Sequence, residues 1–180
     1  MSPGNPLKPA AGMAPLAVRF GSALAQARRA PIRVTAIERE LGTRFTADTL
    51  AALVRRYPRR RFVWLMGADN LAQFHRWRDW RRIARTVPIA VIARPGYDAA
   101  AIASPAMAWL GRYRRTVASL RSPSDTGRAE WSAPALVILR FDPDPRSATA
   151  IRRADPDWTR RFGARSQRDR LTLHPIEPKP

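Results

Sequence analysis

The chain has 180 residues, the size of one ordinary domain, and 45% of them are apolar, which is enough to build a hydrophobic core. Lys and Arg number 33 against 14 Asp and Glu, a formal charge of +19, and all the basic residues except Lys8 and Lys179 are arginine. Arginine spread through every segment, beside abundant Ala and Pro, is typical of a compositional bias. Nucleic acid is therefore not favoured as a partner.

The sequence contains no cysteine. This excludes a disulfide framework, a thiolate zinc site and a cysteine nucleophile, and it fits a reducing cytoplasm. The longest apolar runs, such as residues 89–93, are far shorter than the ~20 residues that cross a bilayer. The start of the chain has no charged-then-apolar signal pattern. We expect a cytoplasmic protein without a membrane partner.

The first predicted elements lie before residue 60. Apolar residues at helical spacing predict a helix over Met13–Ala30, and Pro31 ends it. Residues 32–37 alternate between apolar and polar side chains, which predicts a short strand. Thr46 then precedes an amphipathic stretch over residues 47–57, and its hydroxyl is expected to cap that helix.

Three apolar runs of strand length follow, over residues 62–66, 89–93 and 136–141. Because the first two runs do not alternate with polar residues, we predict that their strands are covered on both faces. Helical stretches over Trp80–Thr86 and Pro105–Tyr113 separate them. The order predicts an α/β fold with a parallel sheet, in which ligands bind outside the carboxyl ends of the strands.

The last third is less regular. Residues 112–132 are rich in Ser and Arg and predict a surface loop. Ser147 is expected to cap a helix that runs through Ala154, and a shorter helix is expected around Trp158. We predict one domain over residues 1–162 and a polar, flexible tail over 163–180.

Polar residues suited to a nucleotide follow the first two strands. Gly67 allows close approach to the backbone, Asp69 offers a carboxylate to ribose hydroxyls, and Trp77 offers a flat stacking surface. Arg94 follows the second strand as a cation suited to phosphate or carboxylate. Two structural interpretations stay open: Asp69 could cap the helix after it, and Trp77 could belong to the core. His75 is expected to be exposed and inert.

A third set of candidates follows the last strand. The hydroxyls of Ser147 and Thr149, together with the amides at the start of the helix, can bind an anion, and Arg152 lies one turn further on. With the residues at the other two strand ends, they predict a nucleotide pocket with aromatic stacking and several phosphate contacts.

Four segments in this order, TADTL, GADNLAQFHRW, IARPGY and SATAIR, resemble bacterial nicotinate-nucleotide adenylyltransferases. The resemblance covers about residues 2–160. It implies a Rossmann-like nucleotidyltransferase fold with helices on both faces of the parallel sheet. It also implies transfer of the adenylyl group of ATP to nicotinate mononucleotide, which yields deamido-NAD and pyrophosphate, with Mg²⁺ supporting the reaction.

The resemblance also implies roles for individual residues. Those that match ATP-binding positions are Gly67, Asp69, Ser147, Thr149 and Arg152, the first two at the ribose and the others at the phosphates and adenine edge. Those that match mononucleotide-binding positions are Asn5, Lys8, Thr46, Trp77 and Arg94. Among these, Thr46 and Trp77 would hold the nicotinate ring, Arg94 would bind the phosphate, and Asn5 and Lys8 would lie near the phosphates.

One departure concerns the start of the family's pattern. The family opens with a glycine-rich loop and a His-x-Gly-His motif whose histidines stabilise charge on the transferred phosphate. The two histidines here, His75 and His174, lack that context. We therefore expect the chain to lack the family's first ~40 residues, a little more than one βαβ unit. No catalytic residue and no metal ligand is then predicted within it, and the exposed sheet edge is expected to lower its stability.

Two alternatives to an active enzyme remain at this stage. One is a catalytically dead fragment of the family that still binds nucleotides. The other is a basic nucleic-acid-binding protein, which would bind tightly with a steep dependence on salt. The sequence distinguishes neither the oligomeric state nor a preference for nicotinate over nicotinamide mononucleotide.

Overall fold

The computed structural model describes residues 13–28, 30–94, 96, 98–118, 132–140, 148–163 and 166–176. The described residues of Thr46–Pro145 form one compact unit, the central unit. Those of Met1–Phe45 and Arg146–Pro180 form a second, the terminal unit. A single functional domain over residues 1–162 stays a prediction.

Helices separate the three strands of the central unit, and further elements belong to the terminal unit. In chain order the elements are α1 (Leu16–Ala27), α2 (Ile37–Leu41), α3 (Thr46–Arg56), β1 (Trp64–Gly67), α4 (Ala68–Gln73), α5 (Trp80–Thr86), β2 (Ile89–Ile92), α6 (Asp98–Ile102), α7 (Pro105–Leu110), β3 (Leu136–Leu139), α8 (Ala148–Ala154), α9 (Trp158–Gly163), β4 (Gln167–Arg168) and β5 (Pro175–Ile176). Short 3₁₀ turns follow α4 and α7. None of the described helices is long and apolar enough to cross a membrane.

The central unit is built on a parallel sheet with the strand order β1-β2-β3. Trp64 of β1 is opposite Ile89 of β2, and Ile89 is opposite Leu136 of β3. Helices connect the strands, as parallel pairing requires. The three strands predicted from apolar runs and the predicted Rossmann-like α/β class are confirmed.

One face of this sheet packs on the helices that follow it. Met66, Val91 and Leu136 are buried there with Leu71 and Phe74, which come from the segment directly after β1. Phe74 has no exposed surface, and burying such a side chain stabilises a fold by about 1.5–3 kcal/mol. Leu71 and Phe74 therefore fix the segment that follows β1 in the core.

The expectation that the first two strands are covered on both faces is right for β2 and wrong for β1. Ile89, Ala90 and Val91 are all buried, whereas Leu65 of β1 is 54% exposed. The physical reason is that the face of the sheet shared by Leu65, Ala90 and Val137 is covered at β2 and β3, where Ala90 and Val137 are buried, but not at β1. A continuous apolar run does not distinguish these two cases.

The predicted strand over residues 32–37 is wrong. Residues 32–36 belong to no helix or strand, and α2 begins at Ile37. The amide of Ala36 donates a hydrogen bond of 2.6 Å to the carboxylate of Asp169, and the hydroxyl of Thr35 donates one of 3.0 Å. The side chain of Asp169 thus accepts hydrogen bonds from this stretch, including that of the Ala36 amide, which a neighbouring strand would otherwise accept.

Part of the predicted tail is packed in the terminal unit. Residues 166–176 hold the antiparallel pair β4 and β5. Ile176 and Asp169 are each only 1% exposed, and Ile176 packs in a core with Phe20 of α1 and Val34. The polar composition of this segment gave no indication that Ile176 packs in a core.

Candidate functional site

The candidate site lies where β1 and β2 end. Gly67 is the last residue of β1 and pairs with Ile92, the last residue of β2. Arg94 follows two residues later. Because parallel strands end at the same edge of a sheet, Asp69 in the first turn of α4 comes close to Arg94. The structure confirms that Gly67, Asp69 and Arg94 lie together.

Asp69 and Arg94 form an ion pair. Oδ2 of Asp69 lies 3.2 Å from Nη1 of Arg94, and the two side chains are 25% and 47% exposed. The carboxylate makes no hydrogen bond to an amide of α4 within the described residues, and Oδ1 is buried without a hydrogen-bond partner. The interpretation of Asp69 as a helix cap is therefore wrong.

Gly67 is required by the side chains around it. A Cβ atom built on Gly67 would collide with Oδ1 of Asp69 and would lie 3.0 Å from Cδ of Arg94. Atoms of both members of the ion pair lie close to Gly67, so the lack of a side chain there makes the contact between Asp69 and Arg94 sterically possible. The approach of a ligand to this backbone stays a prediction.

Trp77 lies beyond the 3₁₀ turn that follows α4. Its ring is half-buried and packs edge to face on Phe74, with 5.6 Å between the ring centroids. Its Nε1 is buried without a partner among the described residues. Trp77 thus belongs to the edge of the core, and stacking on a substrate ring stays a prediction.

His75 is half-buried with an unpartnered Nδ1, so the expectation that it is exposed is wrong.

Thr46 is not joined to this pair. It is the first residue of α3, one position later than a capping residue would be, and it is half-buried. Within the described part of the chain no hydrogen bond links it to Asp69, Trp77 or Arg94. Its role toward a ring stays a prediction.

A second ion pair connects α3 to α5. Nη1 of Arg82 lies 3.2 Å from Oδ1 of Asp48, the same separation as in the pair at the strand ends. Asp48 is thus paired within the protein, and it provides a matched control for Asp69.

The remaining predicted residues are not tested by the structure. Asn5, Lys8 and Ser147 lie outside the described residues, as does the side chain of Thr149. Arg152 is on α8 in the terminal unit, with an exposed side chain. A groove of about 360 Å³ in the terminal unit contains none of the predicted residues; it is lined by Leu24, Ala27, Arg28, Ile32, Arg33 and Arg170.

The sequence missed one feature of the site. It assigned Asp69 and Arg94 to two different ligands, and the structure shows that they bind each other. A signal for this was present, because both residues follow neighbouring strands and carry opposite charges. Among the described residues there is no cluster of three or more His, Cys, Asp or Glu side chains that could hold a metal ion.

Comparison of the amino-acid sequence with known proteins identifies a family. The cytidylyltransferase-like family model matches residues 18–154. A protein of Erythrobacter litoralis is 67% identical over 98% of this chain and 78% of its own length. A protein of Ruegeria pomeroyi is 52% identical over 86% of this chain and 70% of its own length. A third, of a Bradyrhizobium species, is 45% identical over 88% of this chain and 80% of its own length.

All three relatives are named probable nicotinate-nucleotide adenylyltransferase. The similarity covers both strands whose ends form the candidate site, together with the helices that support them. The chain belongs to the nicotinate-nucleotide adenylyltransferase family of cytidylyltransferase-like proteins.

Proposed function

We propose that the protein transfers AMP from ATP to nicotinate mononucleotide. An oxygen of the mononucleotide phosphate attacks the α-phosphorus of ATP, the bond to the β-phosphate oxygen breaks, and pyrophosphate leaves with that electron pair. The products are deamido-NAD and pyrophosphate. The observation that supports this most directly is the meeting of Gly67, Asp69 and Arg94 at the ends of adjacent parallel strands, in a chain of this family.

On the mononucleotide side, we assign the phosphate to Arg94. Its side chain is 47% exposed and its guanidinium contacts Asp69 through Nη1, so most of its five N–H donors remain for an anion. Trp77 presents a ring that the core holds in place from one side, which suits it to stack on nicotinate. Thr46, Asn5 and Lys8 complete this side of the proposal by their match to the family's positions.

On the ATP side, we assign the ribose hydroxyls to Asp69, because a carboxylate oxygen without a hydrogen-bond donor is suited to accept from a hydroxyl. Ser147, Thr149 and Arg152 are proposed for the phosphates and the adenine edge. Mg²⁺ is proposed to arrive as part of the ATP substrate. Mg²⁺ keeps several waters and binds largely through substrate phosphates, so it does not require a cage of protein ligands.

Catalysis in this proposal depends on positioning and on charge. Holding two nucleotides in line converts a bimolecular reaction into one within a complex, and cations around the phosphates stabilise the charge of the transition state. The sequence has no His-x-Gly-His motif. Removing a single such stabilising group costs about 3 kcal/mol in other enzymes.

A second candidate function is nucleotide binding without transfer, because the residues assigned to the two nucleotides do not by themselves include a catalytic group. The two are separated by incubating the chain with nicotinate mononucleotide and MgATP and measuring both deamido-NAD and pyrophosphate. Equal amounts of the two products support the transferase. Saturable binding of both nucleotides without product supports the second candidate, and a protein that binds neither contradicts both. A cytoplasmic location is part of this proposal, since both substrates are soluble nucleotides.

A further inference from the structure

The ion pair at the strand ends has consequences for how the two substrates bind. The proposed function, on which this inference rests, gives Asp69 to a ribose hydroxyl of ATP and Arg94 to the phosphate of the mononucleotide. In the structure these two groups contact each other, with 3.2 Å between Oδ2 and Nη1. Each group must therefore change its hydrogen bonding when its substrate binds.

The pair is poised for such a change. Its single contact is partly exposed to water, and ion pairs of this kind are weak. The other oxygen of Asp69 is buried over Gly67 without a partner, and an unpaired buried acceptor is unfavourable. A rotation of the carboxylate away from Gly67 toward a hydroxyl would satisfy that oxygen and would break the contact with Arg94.

We propose that the Asp69–Arg94 ion pair couples the two substrate sites. A ribose hydroxyl that binds Asp69 releases Arg94, which then offers all its donors and its full charge to the phosphate of the mononucleotide. Binding of that phosphate to Arg94 releases Asp69 for the ribose in the same way. Because linkage is reciprocal, each substrate strengthens binding of the other by the same factor.

The test uses adenosine, which is neutral and has no phosphate to sense the charge of Arg94 directly. Adenosine binding is measured by calorimetry for the wild type, Arg94→Gln and Arg82→Gln. Arg82→Gln is the matched control, since it breaks a pair of the same separation with Asp48. Arg94→Gln is expected to bind adenosine about two- to fivefold more tightly, the range that a weak exposed pair supports. Arg82→Gln is expected to bind like the wild type.

A second titration measures the coupling itself. Saturating nicotinate mononucleotide is expected to tighten adenosine binding to the wild type by the same factor of about two to five, and to leave binding to Arg94→Gln unchanged. The proposal is overturned if Arg94→Gln binds adenosine as well as or more weakly than the wild type, or if the wild type does not bind adenosine. Failure of the mononucleotide to bind contradicts the proposed function instead, while the comparison of adenosine binding still tests the pair.

Discussion

Two aspartates, one in each unit, show how differently the same carboxylate can be used. Asp169 in the terminal unit is 1% exposed, and its two oxygens accept four hydrogen bonds. Asp69 in the central unit has one ion pair and one oxygen without a partner. A carboxylate with all its acceptors used holds a fold together. One with an unused acceptor at the end of a strand is available to a ligand.

The four bonds to Asp169 join two distant segments of the terminal unit. Thr35 and Ala36 donate from the stretch before α2, and the amides of Leu171 and Thr172 donate from the turn between β4 and β5. Burial alone would raise the pKa of this carboxyl group, but the hydrogen bonds outweigh it and lower the pKa below its ordinary value. The charged form of Asp169 is thus the one that stabilises the fold.

Replacing the two aspartates by asparagine is expected to give the largest difference. In Asp169→Asn an amide nitrogen must face two donors, so two bonds to a charged acceptor are lost and the free energy of unfolding falls by about 3 kcal/mol. Asp69→Asn loses only a partly exposed ion pair, which lowers it by less than about 1 kcal/mol. Urea denaturation measures both. Equal losses would contradict the contrast between the two carboxylates.

The dependence of stability on pH sharpens the same contrast. Because the pKa of Asp169 is lower in the folded chain than in the unfolded one, its contribution is complete above the unfolded value near pH 4. That contribution is lost as the pH falls through the lower folded value. Urea denaturation between pH 6 and pH 2 is expected to show this loss in the wild type. In Asp169→Asn the fall over this range should be smaller, and a fall of the same size would show that other groups cause it.

A substitution at Gly67 tests the steric basis of the site. In Gly67→Ala the new methyl group collides with Asp69, so the carboxylate must rotate away and the ion pair separates, which lowers the free energy of unfolding by about 0.5–1 kcal/mol. Gly111 is the control, because a Cβ there meets nothing within 4 Å. Gly111→Ala should be neutral or more stable than the wild type, by up to about 1 kcal/mol. If both variants have the stability of the wild type, the close approach at Gly67 is not as described.

The smallest effect is expected at the control pair. Asp48 and Arg82 are 38% and 52% exposed, and Asp48→Asn should change the free energy of unfolding by no more than about 0.5 kcal/mol. It should also leave adenosine binding unchanged, as judged by calorimetry. Weaker adenosine binding by Asp48→Asn would mean that loss of any acidic residue near this sheet weakens the site.

The parts of the fold that sequence predicts best are those with local causes. The apolar runs that became β1, β2 and β3, and the helix over Trp80–Thr86, follow from patterns within a few residues. The packed hairpin at residues 166–176 depends on Asp169 and Ile176 meeting segments more than 130 residues away, such as Thr35 and Ala36. No local pattern contains that information.

The site shows the same limit. The residue types at Gly67, Asp69 and Arg94 predicted a nucleotide site at the strand ends, and the parallel register brings them together as expected. That the two charged residues would bind each other depends on the path of each side chain over Gly67. That path depends on the register of the strands and on the residue at which α4 begins. Neither follows from the residue types at these three positions.

The most direct test of the whole account is calorimetric titration of nicotinate mononucleotide into the wild type, Arg94→Gln and Arg82→Gln. The account predicts saturable binding to the wild type. It predicts affinity about 10- to 100-fold weaker in Arg94→Gln, the value of a charged hydrogen bond to phosphate, and unchanged affinity in Arg82→Gln. No binding to the wild type, or equal binding to all three proteins, would contradict the assignment of this strand-end site to the mononucleotide.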